Sequence, residues 1–156
     1  MDVGIPFCIF LDRHAVANAA EDILELVAPS NAVWVVEEAD LAESAAETAM
    51  QNILQWIKGF TTSGSGGSSV TPQKYQTGDG SIGGTVERNN TTVATTGTAV
   101  TLPCKGFDNR NGFLWVPKPK YPIVLSPSER LVLRQPVGPG ATWTVAGFVN
   151  VRQIGG

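Results

Sequence analysis

The chain has 156 residues, a net charge of −3 and 16% charged side chains, whereas soluble proteins average about a quarter. This length suits a single domain over residues 1–156 with a real core, and 42% hydrophobic residues argue against disorder. A slightly acidic chain without a basic patch is not expected to bind nucleic acid. Its low charge suits a surface that is covered by neighbouring subunits.

The first apolar run, Ile5–Leu11, predicts a β-strand. It is too short to span a bilayer, and no basic residues precede it as they would in a signal peptide, so no membrane association is expected. Pro6 has no backbone N–H, which favours a place at the edge of a sheet. Residues 1–12 are therefore a candidate strand or arm that contacts a neighbouring subunit.

Residues that could carry chemistry are few. His14 is the only histidine and is predicted to lie in a surface loop after the first strand, so a Ser–His or Cys–His enzyme would depend on it alone. Cys8 and Cys104 each lie in an apolar run, which predicts buried reduced thiols, although a disulfide stays open if their strands are neighbours. With one histidine and no CxxC motif, neither zinc nor any other cofactor is expected.

Two strands are predicted next, over Asp22–Ala28 and Ala32–Glu38. Glu37 and Glu38 are adjacent in a strand, so their side chains are expected on opposite faces and not as an acid–base pair. A weak cation site stays open for three nearby carboxylates without EF-hand spacing, Asp40, Glu43 and Glu47.

Residues 40–59 give conflicting signals. Apolar residues recur at every fourth position, as on one face of a helix: Leu41, Ala45, Ala49, Ile53 and Ile57. The second half of the segment is richer in β-forming residues, and Leu54 and Trp56 alternate there with polar or outward positions. The local pattern by itself slightly favours one helix over the whole segment.

Gly, Ser and Thr make up more than half of residues 61–101. The run GSGGSS within this segment is not followed by the lysine and helix of a phosphate loop. The strands predicted before this segment are too few to form a separate domain, so the segment is not expected to be a linker between two domains. We therefore expect a long surface loop within one β domain, interrupted by short strands near Gln73–Gln76 and Gly84–Glu87.

The C-terminal third contains clear strand patterns. Five strands are predicted there: Thr98–Cys104, Gly112–Val116, Tyr121–Leu125, Arg130–Gln135 and Thr142–Ile154. In the last of these, Trp143, Val145, Val149 and Val151 keep a period of two, with either Gly147 or Phe148 in phase. Short strands separated by Gly and Pro predict an all-β chain, folded as a single antiparallel β-sandwich or jelly-roll-like domain with long Gly/Ser/Thr-rich loops.

The most distinctive segment is Lys105–Pro122, which combines an Asx-rich turn with the stiff, basic sequence PKPKYP. Such a segment suits an exposed arm or rim that docks on a neighbouring subunit. The four tryptophans, all in predicted strands, are expected to pack in the core or at an interface, with a sugar-stacking platform as the alternative.

Three stretches carry a resemblance to a known family: IKGFTTSGSGGSSVTPQKYQTGD, NNTTVATTGTAVTLPCKGFDNRNGFLWVPKP and IVLSPSERLVLRQPVGPGATWTVAGFVNVRQI. They resemble small structural proteins encoded in tailed bacteriophages and prophages. Members share RGxTTSGSGG at the end of a strand, a NNTT…GTxVTL run and a turn of the form FxxRxGxxWxP. The resemblance covers about residues 56–154, and the chain departs from it at ADLAESAAETAMQ.

The resemblance implies a β-sandwich, and for that reason we expect a strand over Met50–Lys58 after a loop or single helical turn over Leu41–Thr48. It also implies a virion component on the capsid exterior that decorates or cements the shell, forms a homo-oligomer, expected to be a trimer, and contacts the major capsid protein. No enzymatic activity is implied. The alternative is a tail or head-fibre module that binds a host glycan through exposed Trp or Tyr.

The predicted contact regions are the N-terminal strand and the Lys105–Pro122 segment. The candidate interface residues are Ile5, Phe7, Phe10, Arg110, Trp115, Lys118, Lys120 and Tyr121.

Overall fold

The computed structural model describes residues 4–45, 49–103, 105–118 and 121–156. Within these residues it is all-β, and two antiparallel sheets pack against each other as a sandwich. The described strands are β1 (Ile5–Val16), β2 (Glu21–Val27), β3 (Ala32–Glu43), β4 (Gln51–Thr62), β5 (Ser68–Ser69), β6 (Gln73–Lys74), β7 (Thr85–Asn90), β8 (Thr95–Thr101), β9 (Lys105–Asp108), β10 (Phe113–Trp115), β11 (Ile123–Leu125), β12 (Arg130–Gln135) and β13 (Trp143–Gly155). The predicted antiparallel sandwich is therefore confirmed.

The first sheet has the order β10-β3-β13-β1-β6, and β11 also pairs with β3. The prediction that the first strand forms the edge is wrong, because β6 lies outside β1 and pairs with Phe7 and Cys8. Pro6 still fits next to this short strand. Its carbonyl accepts a hydrogen bond from the backbone N–H of Tyr75. The backbone N–H that proline lacks would point to this same side of β1, where few hydrogen bonds are made.

The second sheet has the order β5-β7-β2-β12-β4-β8, and β9 also pairs with β4. The strand expected over Met50–Lys58 is confirmed as β4, since it is paired with β12 through Gln55–Lys58. The helix that the local pattern favours over residues 40–59 is therefore wrong. The expected loop or helical turn over Leu41–Thr48 is wrong at its start, where β3 continues to Glu43; residues 46–48 lie outside the described residues.

The core lies between the sheets and follows the period of two in the long strands. In β1, Phe7, Ile9 and Leu11 are fully buried. In β13, Gly147 and not Phe148 is in phase with the buried residues, and a Cβ at Gly147 would lie 2.0 Å from the carbonyl oxygen of Asp40. Only glycine therefore lets β3 approach β13 this closely.

Aromatic side chains fill the centre of this core. Trp34, Trp56 and Trp143 are almost completely buried, and the ring of Phe7 meets that of Trp34 edge-on at 5.2 Å. The prediction that Phe7 contacts a neighbouring subunit is therefore wrong, because its place in the alternation points it inward. Three of the four tryptophans are core residues, which leaves only Trp115 partly exposed.

The Gly/Ser/Thr-rich segment contributes β5, β7 and β8 to the second sheet and β6 to the first, and the loops between these strands are held by close contacts. Ser65 and Thr92 exchange two backbone hydrogen bonds of 2.9 and 3.0 Å, which join the two passages of this segment. Its glycines are required by close contacts, since a Cβ at Gly64 would lie 2.6 Å from the Thr92 carbonyl oxygen and one at Gly67 would lie 2.2 Å from that of Arg88. The run is part of the single β domain and is held against it.

A β-bulge changes the prediction for the adjacent glutamates. The register of β13 against β3 shifts between Asn150 and Val151, and Glu37 is the extra residue. Both carboxylates consequently bond to β13. Glu37 accepts a hydrogen bond of 2.7 Å from Arg152 Nε, and Glu38 accepts one of 3.0 Å from Asn150 Nδ2. The prediction of opposite faces is wrong because it assumed unbroken alternation.

Candidate interface: an apolar groove and the strand edge beside it

An apolar groove opens where the end of β8 meets the connection between β10 and β11. It consists of two adjoining depressions of about 510 and 390 Å³. Both are lined by Leu102, Pro103 and Tyr121. The first continues along residues 122–124, and the second reaches Trp115 and Lys118.

The groove brings together three of the residues predicted for an interface. Trp115 is half-buried and packs edge-on against the buried Trp56 at 5.6 Å, so the core fixes one wall. Tyr121 is 74% exposed and Lys118 is exposed at the rim. An apolar floor with exposed aromatic and basic groups at its edge is typical of a protein contact or a ligand groove.

Charge at the groove is modest. Lys58 lines the first depression, and its Nζ lies 3.3 Å from a carboxylate oxygen of Glu129. Both side chains are partly exposed, so the ion pair contributes little to stability. It does hold the ammonium group at the mouth of the groove, beside Tyr121 and Pro122.

The strand β8 ends at this groove and forms an outer strand of the second sheet. All seven of its residues are exposed, and its only described pairing is with β4. The sequence from Thr91 to Pro103 contains no charged residue. Natural proteins usually protect such edges with charges or prolines because an open edge can pair with another chain. The sequence pattern predicts the strand but contains no signal that it is an edge.

The remaining predicted interface residues do not gather at the groove. Phe10 is 56% exposed and lies opposite Phe148 on the outer face of the first sheet. Ile5 is half-buried at the far end of the same strand, and Arg110 is exposed in the turn between β9 and β10. Lys120 lies outside the described residues.

The thiols and carboxylates are dispersed. Cys8 is a free thiol that faces outward next to Tyr75, so it is half-buried and not buried as predicted. This partial burial raises the pKa of its thiol. Cys104 lies outside the described residues. Glu43 accepts hydrogen bonds from Asn109 Nδ2 and from the backbone N–H of Thr144. No group of three or more potential metal ligands occurs in the described part of the chain, and Glu47 of the considered cation site lies outside it.

His14 lies in strand β1, so its prediction as a loop residue is wrong. Among the described residues neither of its buried ring nitrogens has a hydrogen-bond partner. Burial first, and then the positive charge of Arg88, lower the pKa of His14 to about 4. The imidazole is consequently neutral at pH 7 and a weak base, and the described residues place no nucleophile in hydrogen-bond contact with it.

This lowered pKa predicts a stability change in mild acid. The unfolded chain takes up a proton on His14 as the pH falls below 6.5, whereas the folded chain does so only near pH 4. The stabilising contribution of the neutral imidazole is therefore complete above pH 6.5 and is lost as the pH falls towards 4. In urea titrations between these values, His14→Asn is expected to lose less stability on acidification than the wild type; equal slopes would contradict the assignment.

Comparison with family models, curated proteins and solved structures gives no match for this chain. No helix among residues 4–45, 49–103, 105–118 and 121–156 has the length and apolar character needed to cross a membrane.

Proposed function

We propose that this chain is a structural protein of a tailed-phage virion that decorates or cements the capsid shell through protein–protein contacts. The observation that carries the proposal is the combination of an uncharged, exposed edge strand β8 with the apolar groove at its end. Both features become buried only when another polypeptide covers them. The resemblance of residues 56–154 to phage structural proteins is the reason for placing the chain in a phage virion.

The partners that we propose are further copies of the chain, in a trimer as the resemblance implies, and the major capsid protein on the shell exterior. The arrangement of the chain supports assembly by contact. Its Gly/Ser/Thr-rich segment is held down by buried charged groups, so a rigid surface is presented to the partner and little ordering free energy is lost on binding. Each contact formed in the assembled shell would add to the stability of the folded state.

A second candidate function is a tail or head-fibre module that binds a host glycan. Trp115 and Tyr121 line one groove, and aromatic rings beside polar groups are suited to stacking on sugar rings. The buried Trp34, Trp56 and Trp143 cannot serve this purpose. This candidate places the chain at the tail or fibre, where few copies are needed.

Copy number in purified virions distinguishes the two candidates. Quantitative mass spectrometry against the major capsid protein is expected to give roughly one copy for every one to three capsid subunits, because a decoration protein follows the shell symmetry. A handful of copies per particle would instead favour the fibre. Complete absence from particles would contradict both.

A further inference from the structure

We infer that β8 pairs with β8 of a second copy of this chain, antiparallel and centred on Val100, so that two sandwiches share one continuous sheet. This inference rests on the geometry of the strand edge and does not require the proposed virion role. In a trimer built through other surfaces, the same contact would join the trimers in pairs.

The hydrogen-bonding direction of each residue of β8 follows from its pairing with β4. Leu102 donates its N–H to the carbonyl of Trp56 at 2.8 Å, and Val100 lies opposite Lys58 two residues earlier. In an antiparallel pair these alternate residues bond to the partner strand. The N–H and C=O groups of the residues between, Ala99 and Thr101, therefore point away from β4.

These outward groups match those of a second copy. In a two-fold pairing centred on Val100, Ala99 of one copy lies opposite Thr101 of the other, so both residues exchange N–H···O=C bonds with their counterparts. All the outward-pointing groups of residues 99–101 are then used, in four hydrogen bonds. The two Val100 residues meet at the centre as a non-hydrogen-bonded pair, where facing side chains approach most closely.

The ends of the edge limit the pairing to this register. Pro103 has no N–H and ends the ladder on one side. On the other side Thr96 and Gly97 have positive φ values of 58° and 80°, and the register against β4 shifts between Gly97 and Val100. Between these two points lie residues 98–102, two on each side of Val100.

Side-chain chemistry favours a second copy as the occupant. Identical strands that pair antiparallel bring like charges together, but residues 91–103 contain none. Val100 is 48% exposed, and it lies on the same face as Leu102, two residues away, which lines the groove. The contact would therefore cover an exposed valine on each copy and leave the two grooves on one face, at opposite ends of the shared strand pair.

The mass of the purified full chain in solution tests this contact. Across a concentration series, light scattering after size exclusion is expected to give the wild type twice the mass of Val100→Lys, because two ammonium groups would face each other at the centre. Val137→Lys, which places the same charge on another exposed valine, is expected to keep the wild-type mass. Equal masses for the wild type and Val100→Lys would overturn the inference.

Cross-linking tests the register independently. In a background with Cys8→Ser and Cys104→Ser, Val100→Cys is expected to form a covalent dimer under mild oxidation, since facing Cβ atoms of such pairs lie close enough for a disulfide. Thr95→Cys, exposed in the same strand but beyond the bulge, is the matched control. Equal cross-linking at both positions would overturn the proposed register.

Discussion

Replacing Gln135 with leucine is expected to lower the free energy of unfolding by roughly 2–6 kcal/mol, since each buried polar group left unpaired costs about 1–3 kcal/mol. Gln135 is fully buried and makes four hydrogen bonds. Its Oε1 accepts from Asn52 Nδ2 at 3.0 Å and from Trp143 Nε1 at 2.8 Å. Its Nε2 donates to the carbonyls of Ala17 and Ala19 at 2.8 and 2.7 Å. Leucine leaves both buried donors without an acceptor.

The same arrangement closes the other end of β13. Gln153 accepts from Trp34 Nε1 at 3.2 Å and from the backbone N–H of Gly83 at 3.0 Å, and its Nε2 donates to the carbonyl of Ser81. Each end of the sandwich therefore has a buried tryptophan whose indole N–H is bonded to a glutamine that also anchors a loop. The loss of stability expected at Gln135 therefore depends on a tryptophan–glutamine hydrogen bond that occurs at both ends of the sandwich.

Urea unfolding measures the expected loss at Gln135. The midpoint is expected to fall with little change in the slope, because the substitution removes hydrogen bonds without altering the surface exposed on unfolding. Gln76→Leu is the matched control, since Gln76 is exposed and such surface changes usually stay within about 0.5 kcal/mol. Similar midpoints for the two variants would contradict the role assigned to Gln135.

The sequence was sufficient to predict the strands that alternate over several residues. Ala32–Glu38 and Arg130–Gln135 lie within observed strands, and Thr142–Ile154 matches β13 from Trp143 onward, since one buried face imposes a period of two. The short strands in the Gly/Ser/Thr-rich segment were also placed correctly, at Gln73–Lys74 and Thr85–Asn90. Where alternation is broken, as at Glu37, the prediction failed because bulges depend on the neighbouring strand.

The site was predictable only in part. Trp115, Lys118 and Tyr121 were identified from one unusual segment, and the structure places them at one groove. The contribution of Leu102 and Pro103 was not predicted, because it depends on which strands become neighbours in the two sheets. The open edge at β8 was missed for the same reason, since strand order is not encoded in local periodicity.

The attachment of the Gly/Ser/Thr-rich loops to the second sheet had a signal in the sequence that local patterns could not interpret. Asp22 and Glu25 interrupt a strand that is buried at every position from 21 to 26. Buried carboxylates require partners, and these come from distant parts of the chain: Arg134 for Asp22, and Arg130 for Glu25. Both arginines also bond to the Gly/Ser/Thr-rich segment, Arg134 through the carbonyl of Ala94 and Arg130 through the hydroxyl of Ser63.

Removal of the Glu25 carboxylate is expected to destabilise the fold and to release the loop that contains Gly64. Glu25 is 2% exposed and accepts hydrogen bonds from Arg130 Nε at 2.7 Å, from the backbone N–H of Gly64 at 2.9 Å and from Asn90 Nδ2 at 3.0 Å. Glu25→Ala leaves a largely buried guanidinium without its counter-ion. Breaking one side of a buried ion pair costs about 3–5 kcal/mol, so a loss of that size is expected in urea unfolding.

The chain offers a matched control in Glu37, which accepts a hydrogen bond of the same 2.7 Å from Arg152 Nε but whose side chain is 38% exposed. Glu37→Ala is expected to cost at most about 1 kcal/mol, because water already solvates that pair. Hydrogen exchange separates local from global effects: the Gly64 amide should lose protection in Glu25→Ala and keep it in Glu37→Ala. Equal losses of stability in the two variants would show that burial does not set the strength of the Glu25 pair. An unchanged Gly64 amide would show that the loop containing Gly64 is held by other contacts.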